Sequence, residues 1–87
     1  MDVHSVHVGT FMTASEANLL INNLKSQGFP SFGYTSSDKK GNTVYVVVAG
    51  KYQSLDLAKQ ASRNLSKKGH SNFIAKARDS LEKGPAK

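Results

Sequence analysis

With 87 residues there is room for one domain and one modest core, because a chain this short buries only about 60% of the surface it exposes when unfolded, and little is left for a deep catalytic cleft. The absence of cysteine removes disulfides, thiolate chemistry and cysteine-ligated zinc, and leaves the redox compartment open. The net charge of +6 is uneven, −2 over residues 1–38 and +8 over residues 39–87, and a basic half invites nucleic acid, acidic lipid headgroups or carboxylate-bearing polysaccharide.

In chain order, a β-rich run opens at about Val3 and ends on Gly9. Thr13 and Glu16 then have the Thr-x-x-Glu spacing of a capping box, in which hydroxyl and carboxylate satisfy backbone donors at a helix start. Ala17, Leu20, Ile21 and Leu24 follow at i, i+3, i+4 and i+7, which makes one apolar stripe. Gly28 sits where a left-handed C-terminal cap is expected. Phe29 supplies a core position, and a short strand carrying Phe32 and Tyr34 comes next.

The stretch from Ser36 to Asn42, with Lys40-Gly41-Asn42, predicts a hairpin turn. Val44 to Ala49 is a second β-rich run closing on Gly50. Ser54 caps a second helix, Asp56 lies near the positive end of its dipole, and Ala58, Ala61 and Leu65 form its buried face. Its other face, with Lys59, Arg63, Lys67 and Lys68, reads as solvated surface. Gly69 ends the helix and a strand containing Phe73 follows. Residues 78–87 form a charged tail with Gly84-Pro85, for which flexibility is expected.

A constant shift of 41 residues, the separation of Gly9 from Gly50, lays residues 3–36 over 44–77 without a gap. Val6 then meets Val47, Phe11 meets Tyr52, Thr13 meets Ser54, Ala17 meets Ala58, Leu24 meets Leu65, Gly28 meets Gly69 and Phe32 meets Phe73. A long period present twice indicates a duplicated βαβ unit inside one domain, spanning residues 1–77, rather than a solenoid. The expected fold class is α+β: a two-layer βαββαβ sandwich of the ferredoxin-like kind. Both helices cover one face of a four-stranded antiparallel sheet, with the first and third strands at its centre and the other face open.

Val6-His7-Val8-Gly9-Thr10-Phe11, followed by a helix, by Gly28-Phe29 and by a second strand-glycine-aromatic unit at Tyr45 to Tyr52, resembles the SPOR domain family from about Val3 to Ala77. The resemblance implies a non-catalytic peptidoglycan-binding module. Such a module recognises glycan strands lacking stem peptides and targets a larger bacterial envelope protein to the division septum, alongside other division proteins. No cofactor is implied. Carried across by position, the family's glutamine falls on His7 and its serine on Thr10, while Val44 stands where an aromatic is often found. His7 departs from the pattern; it still exchanges hydrogen bonds with a sugar hydroxyl, but it would charge near a pH of about 6.5 and make affinity pH-sensitive.

Alternation along strands locates the binding face separately. Val6 and Val8 point one way and His7 the other, so Val44, Val46 and Val48 are expected to share the open face with His7. Phe32, Tyr34 and Phe73 are placed on that face as stacking platforms. The candidate glycan-binding set is therefore His7, Thr10, Phe32, Tyr34, Val44, Val46 and Phe73.

Other functions fare less well. The acids Asp2, Glu16, Asp38, Asp56, Asp79 and Glu82 fall in caps, turns or tails and do not converge as a hydrolase requires. His4 and His7 are sent to opposite faces and His70 follows a helix end, which is unsuited to a metal site. An RNA-recognition domain has the same element order, but the third strand lacks that family's basic-glycine-aromatic octamer and its Tyr45 faces the helices. A protein-interaction module of the envelope is the third reading. The longest apolar run, Val44 to Ala49, is far short of the roughly 20 residues of a spanning helix. Met1 to His4 does not read as a signal peptide, so an excised module is expected, with any export signal or membrane anchor outside it; the SPOR resemblance is what implies an extracytoplasmic, septal location.

Overall fold

The structure, a computed structural model, describes residues 2–78. The elements are β1 (Asp2–Phe11), α1 (Ala14–Ser26), β2 (Phe32–Ser37), β3 (Thr43–Tyr52), α2 (Leu55–Lys67) and β4 (Phe73–Arg78). The strands form one antiparallel sheet in the order β2-β3-β1-β4, so the two ten-residue strands are central and the two six-residue strands are edges. β4 runs through Arg78, which pairs with Asp2. The flexibility expected of the tail beyond it falls on residues 79–87, outside the described residues.

Each helix forms where its local sequence satisfies its ends. Thr13 Oγ1 accepts from the Glu16 N–H at 3.3 Å and donates to Glu16 Oε1 at 3.0 Å, a variant of the capping box in which the two side chains bond each other. At the other end the Phe29 N–H donates to the Leu24 carbonyl and the Gly28 N–H to that of Lys25, with Gly28 at φ +93. α2 repeats this: Ser54 accepts from the Leu57 N–H, His70 and Gly69 donate to Leu65 and Ser66, and Gly69 has φ +88. Both ends are paired Schellman closures that turn the chain sharply back toward the sheet.

The core lies between helices and sheet. Val6, Val47 and Ala49 meet Ala17 and Leu24 of α1 and Ala58, Ala61 and Leu65 of α2, with Phe11, Leu20, Ile21, Phe29, Tyr45, Tyr52 and Ile74 packed around them. Alanine at Ala17, Ala58 and Ala61 lets the helices approach the sheet closely, and Leu24 and Leu65, both fully buried, fill the space.

Two β-bulges interrupt the central pairing. His7 pairs with Val48 but Gly9 with Val47, so Val8 and Gly9 together face one residue; Ser5 pairs with Lys51, so Ala49 and Gly50 together face Val6. The 41-residue shift maps each bulge onto the other, Val8-Gly9 onto Ala49-Gly50 and Val47 onto Val6. The duplication is thus structural as well as sequential.

Candidate functional site

The bulges decide which side chains share the open face. Strict alternation would put Thr10 with Val6 and Val8, toward the helices. Because Val8-Gly9 inserts one extra residue, Thr10 instead pairs with Val46 on the face that carries His7 and Val48, and Phe11 turns into the core. Ala49-Gly50 does the same for β3: Lys51 emerges on the open face and Tyr52 packs inward. Half-buried there, Tyr52 has its hydroxyl pKa pushed up by desolvation and donates to the Ala49 carbonyl at 3.3 Å.

One register row crosses all four strands: Phe32 on β2 pairs with Val48 on β3, Val48 with His7 on β1, and His7 with Phe73 on β4. The His7 imidazole stacks on the Phe73 ring, centroids 5.1 Å apart and planes 9° from parallel, making one extended flat surface at that edge. At the opposite edge the Lys51 ammonium lies 5.5 Å from the centroid of the Phe32 ring. A second row runs Tyr34, Val46, Thr10. With neighbouring strands about 4.8 Å apart, Phe32 and Phe73 stand roughly 14 Å from each other across the sheet.

The seven residues singled out from sequence fall into two groups. Phe32, Tyr34 and Phe73 are 37%, 45% and 64% exposed, Thr10 is exposed and His7 is half-buried, so these five offer surface. Val44 and Val46 are on the open face but only 8% exposed, and with Val48 they form a small apolar cluster of their own. Val44 is paired with Ser36 of β2, and Val46 lies between Tyr34 of β2 and Thr10 of β1. The valines make a floor between aromatic rims and present little area themselves. Lys51 belongs to the face and was missed; a glycine ending a β-run, as Gly50 does, is the sequence signal that a bulge has reversed the parity beyond it.

Chemically the face joins ring planes at both edges, hydrogen-bonding groups at His7 and Thr10, and one ammonium at Lys51. Tyr45 packs into the core and is no part of it. Among the described residues no three His, Asp or Glu side chains gather as metal ligands. His4 is on the helix side of β1, and His70 Nε2 bonds Gln27 Oε1 at 2.8 Å, joining the C-terminal ends of the two helices.

Comparison with known proteins agrees with this architecture. The SPOR domain model matches residues 2–76. Among solved structures, the chain is similar to the solution structure of the peptidoglycan binding domain of the B. subtilis cell wall lytic enzyme CwlC, with TM-score 0.75 and 23% identity over 90% of this chain and 92% of that one. It is also similar to part of a putative exported protein from Burkholderia pseudomallei K96243, with TM-score 0.70 and 22% identity, covering 86% of this chain and 16% of that one. None of the curated proteins matches. A family model that spans nearly the whole described chain, on a fold with the expected strand order and pseudo-twofold bulges, leads to one assignment: the chain belongs to the SPOR domain family.

Proposed function

We propose that this domain is a non-catalytic peptidoglycan-binding module that seats glycan strands lacking stem peptides on the open sheet face. In this reading it targets a parent protein to the septal cell wall, outside the cytoplasm. The observation that carries the reading is the row Phe32-Val48-His7-Phe73, in which Val48 and half-buried His7 form a floor between aromatic rims. Pyranose rings present C–H faces that stack on aromatic planes, while their hydroxyls need donors and acceptors, and His7 and Thr10 supply both. Stem peptides branching from each disaccharide would have to cross the same rims, whereas a bare strand lies flat. Membership of the SPOR family and the fold shared with the binding domain of a lytic enzyme support peptidoglycan as the ligand.

Co-sedimentation with purified sacculi, before and after amidase digestion, tests the proposal. Binding should rise as stem peptides are removed. Retention that digestion leaves unchanged, or no retention at all, refutes it. A salt titration separates it from RNA binding, which through several phosphates would fall steeply with ionic strength.

A further inference from the structure

The domain is a slab, 34 × 32 × 17 Å, with two broad faces. Its exposed large apolar residues divide between them by type. Phe32, Tyr34 and Phe73 are on the sheet face; Met12, Leu19, Leu55 and Leu57 are on the helices or the turn that enters α1. The helix face also carries charge. Lys59, Arg63 and Lys67 recur at i, i+4 and i+8, so they form one exposed stripe along α2 opposite its buried Ala58, Ala61 and Leu65. Lys68 adds a fourth cation at the helix end and Asp56 a single acid in the first turn.

The internal duplication supplies a control. Under the 41-residue shift Lys59, Arg63 and Lys67 correspond to Asn18, Asn22 and Ser26 of α1, which are exposed, uncharged and part of an equally well-formed helix. The fold therefore does not require cations at these positions. We infer that the helix face is a docking surface for an anionic lipid bilayer, on the side of the domain opposite the sheet face. A flat row of cations meets lipid phosphates, each contributing favourably at an anionic surface. The exposed Leu19 and flanking Leu55 and Leu57 reach the headgroup region, as the apolar residues of interfacial helices do. A soluble polyanion would use the cations and leave the leucines without a role. This inference does not depend on what the sheet face binds.

Vesicle co-sedimentation of the full chain tests it, with phosphatidylcholine vesicles containing roughly a third phosphatidylglycerol against phosphatidylcholine alone. Binding is expected only to the anionic vesicles. The double variant R63Q/K67Q should weaken it at least fivefold, and L19S at least twofold, whereas K39Q/K40Q, which removes equal charge from the β2–β3 hairpin, should change it less than twofold. Equal losses in the two double variants would show that net charge alone is responsible and overturn the inference. So would unaltered binding in L19S, or binding to long-chain polyphosphate with no binding to vesicles. Circular dichroism of each variant checks that the fold is kept.

Discussion

Phe73→Ala separates the two roles a ring on this sheet can have. The Phe73 side chain is 64% exposed, so about a third of it is covered. Full burial of a phenylalanine is worth about 1.5–3 kcal/mol, which makes the covered third worth roughly 0.5–1 kcal/mol. Losing the stack on His7 adds about 0.5–1.5 kcal/mol. The expected cost to folding is therefore about 1–2.5 kcal/mol, readable as a shift in urea midpoint at constant slope. Binding should suffer as well: one rim of the groove disappears and His7 loses the plane that orients it, so affinity for amidase-treated sacculi should fall by roughly tenfold, equivalent to about 1.4 kcal/mol. Leu24→Ala is the converse, because Leu24 is fully buried among core residues and its loss opens a cavity at a cost of about 2–5 kcal/mol. Leu24→Ala protein that remains folded should bind as the parent does. If Phe73→Ala unfolds the domain, or folds and binds glycan unchanged, the assignment of Phe73 to the ligand face is wrong.

Three further outcomes follow from local geometry. Gly50 has φ +109, and a Cβ there would lie 2.6 Å from the Tyr52 hydroxyl oxygen, so Gly50→Ala should cost about 2–4 kcal/mol by thermal or chemical unfolding; a loss below about 1 kcal/mol contradicts the bulge geometry. The Asn42 N–H and side chain, with the Lys40 and Gly41 N–H groups, hold the Asp38 carboxyl below its ordinary 3.8. Because the charged form is favoured in the folded state, the hairpin's contribution is complete above that value and is lost as pH falls through the lower folded pKa; an NMR titration midpoint for Asp38 at or above 3.8 refutes this. Ser31 is 5% exposed and its hydroxyl finds no partner among the described residues, so Ser31→Ala should be neutral or stabilising by up to about 1 kcal/mol, and a loss of more than that would reveal a bond to its hydroxyl.

The fold was legible because the sequence states it twice. Capping residues at Thr13 and Ser54, stripes ending at Leu24 and Leu65, and closing glycines at Gly28 and Gly69 appear in the same order 41 residues apart, and each pair became an equivalent element. The open face was legible only as far as simple alternation holds. Alternation put His7, Val44, Val46 and Val48 on it, and the structure does the same. Beyond Gly9 and Gly50 the parity reverses, which is why Thr10 reached the candidate set only through the family pattern and Lys51 did not reach it at all. Burial was the other gap. Alternation gives a side chain's direction but not how far its neighbours overhang it, so Val44 and Val46 could be placed on the face without revealing that they are its covered floor.

The same symmetry gives the face a direction. The 41-residue shift turns the row Phe32-Val48-His7-Phe73 into itself reversed, with equal rings at the two ends. A perfectly symmetric groove would bind a polymer equally well in either orientation, yet a glycan strand has distinct ends. The symmetry is broken at several pairs on this face, among them His7 against Val48, Thr10 against Lys51, Tyr34 against Ala75, and Ser5 against Val46. One half therefore offers an imidazole, a hydroxyl and a stacked ring pair, and the other an ammonium over a ring beside a phenol. Under the proposed function the duplicated rings would supply the general affinity for a sugar chain, and the unmatched residues would be where its orientation, and any choice between charged and uncharged sugars, is read.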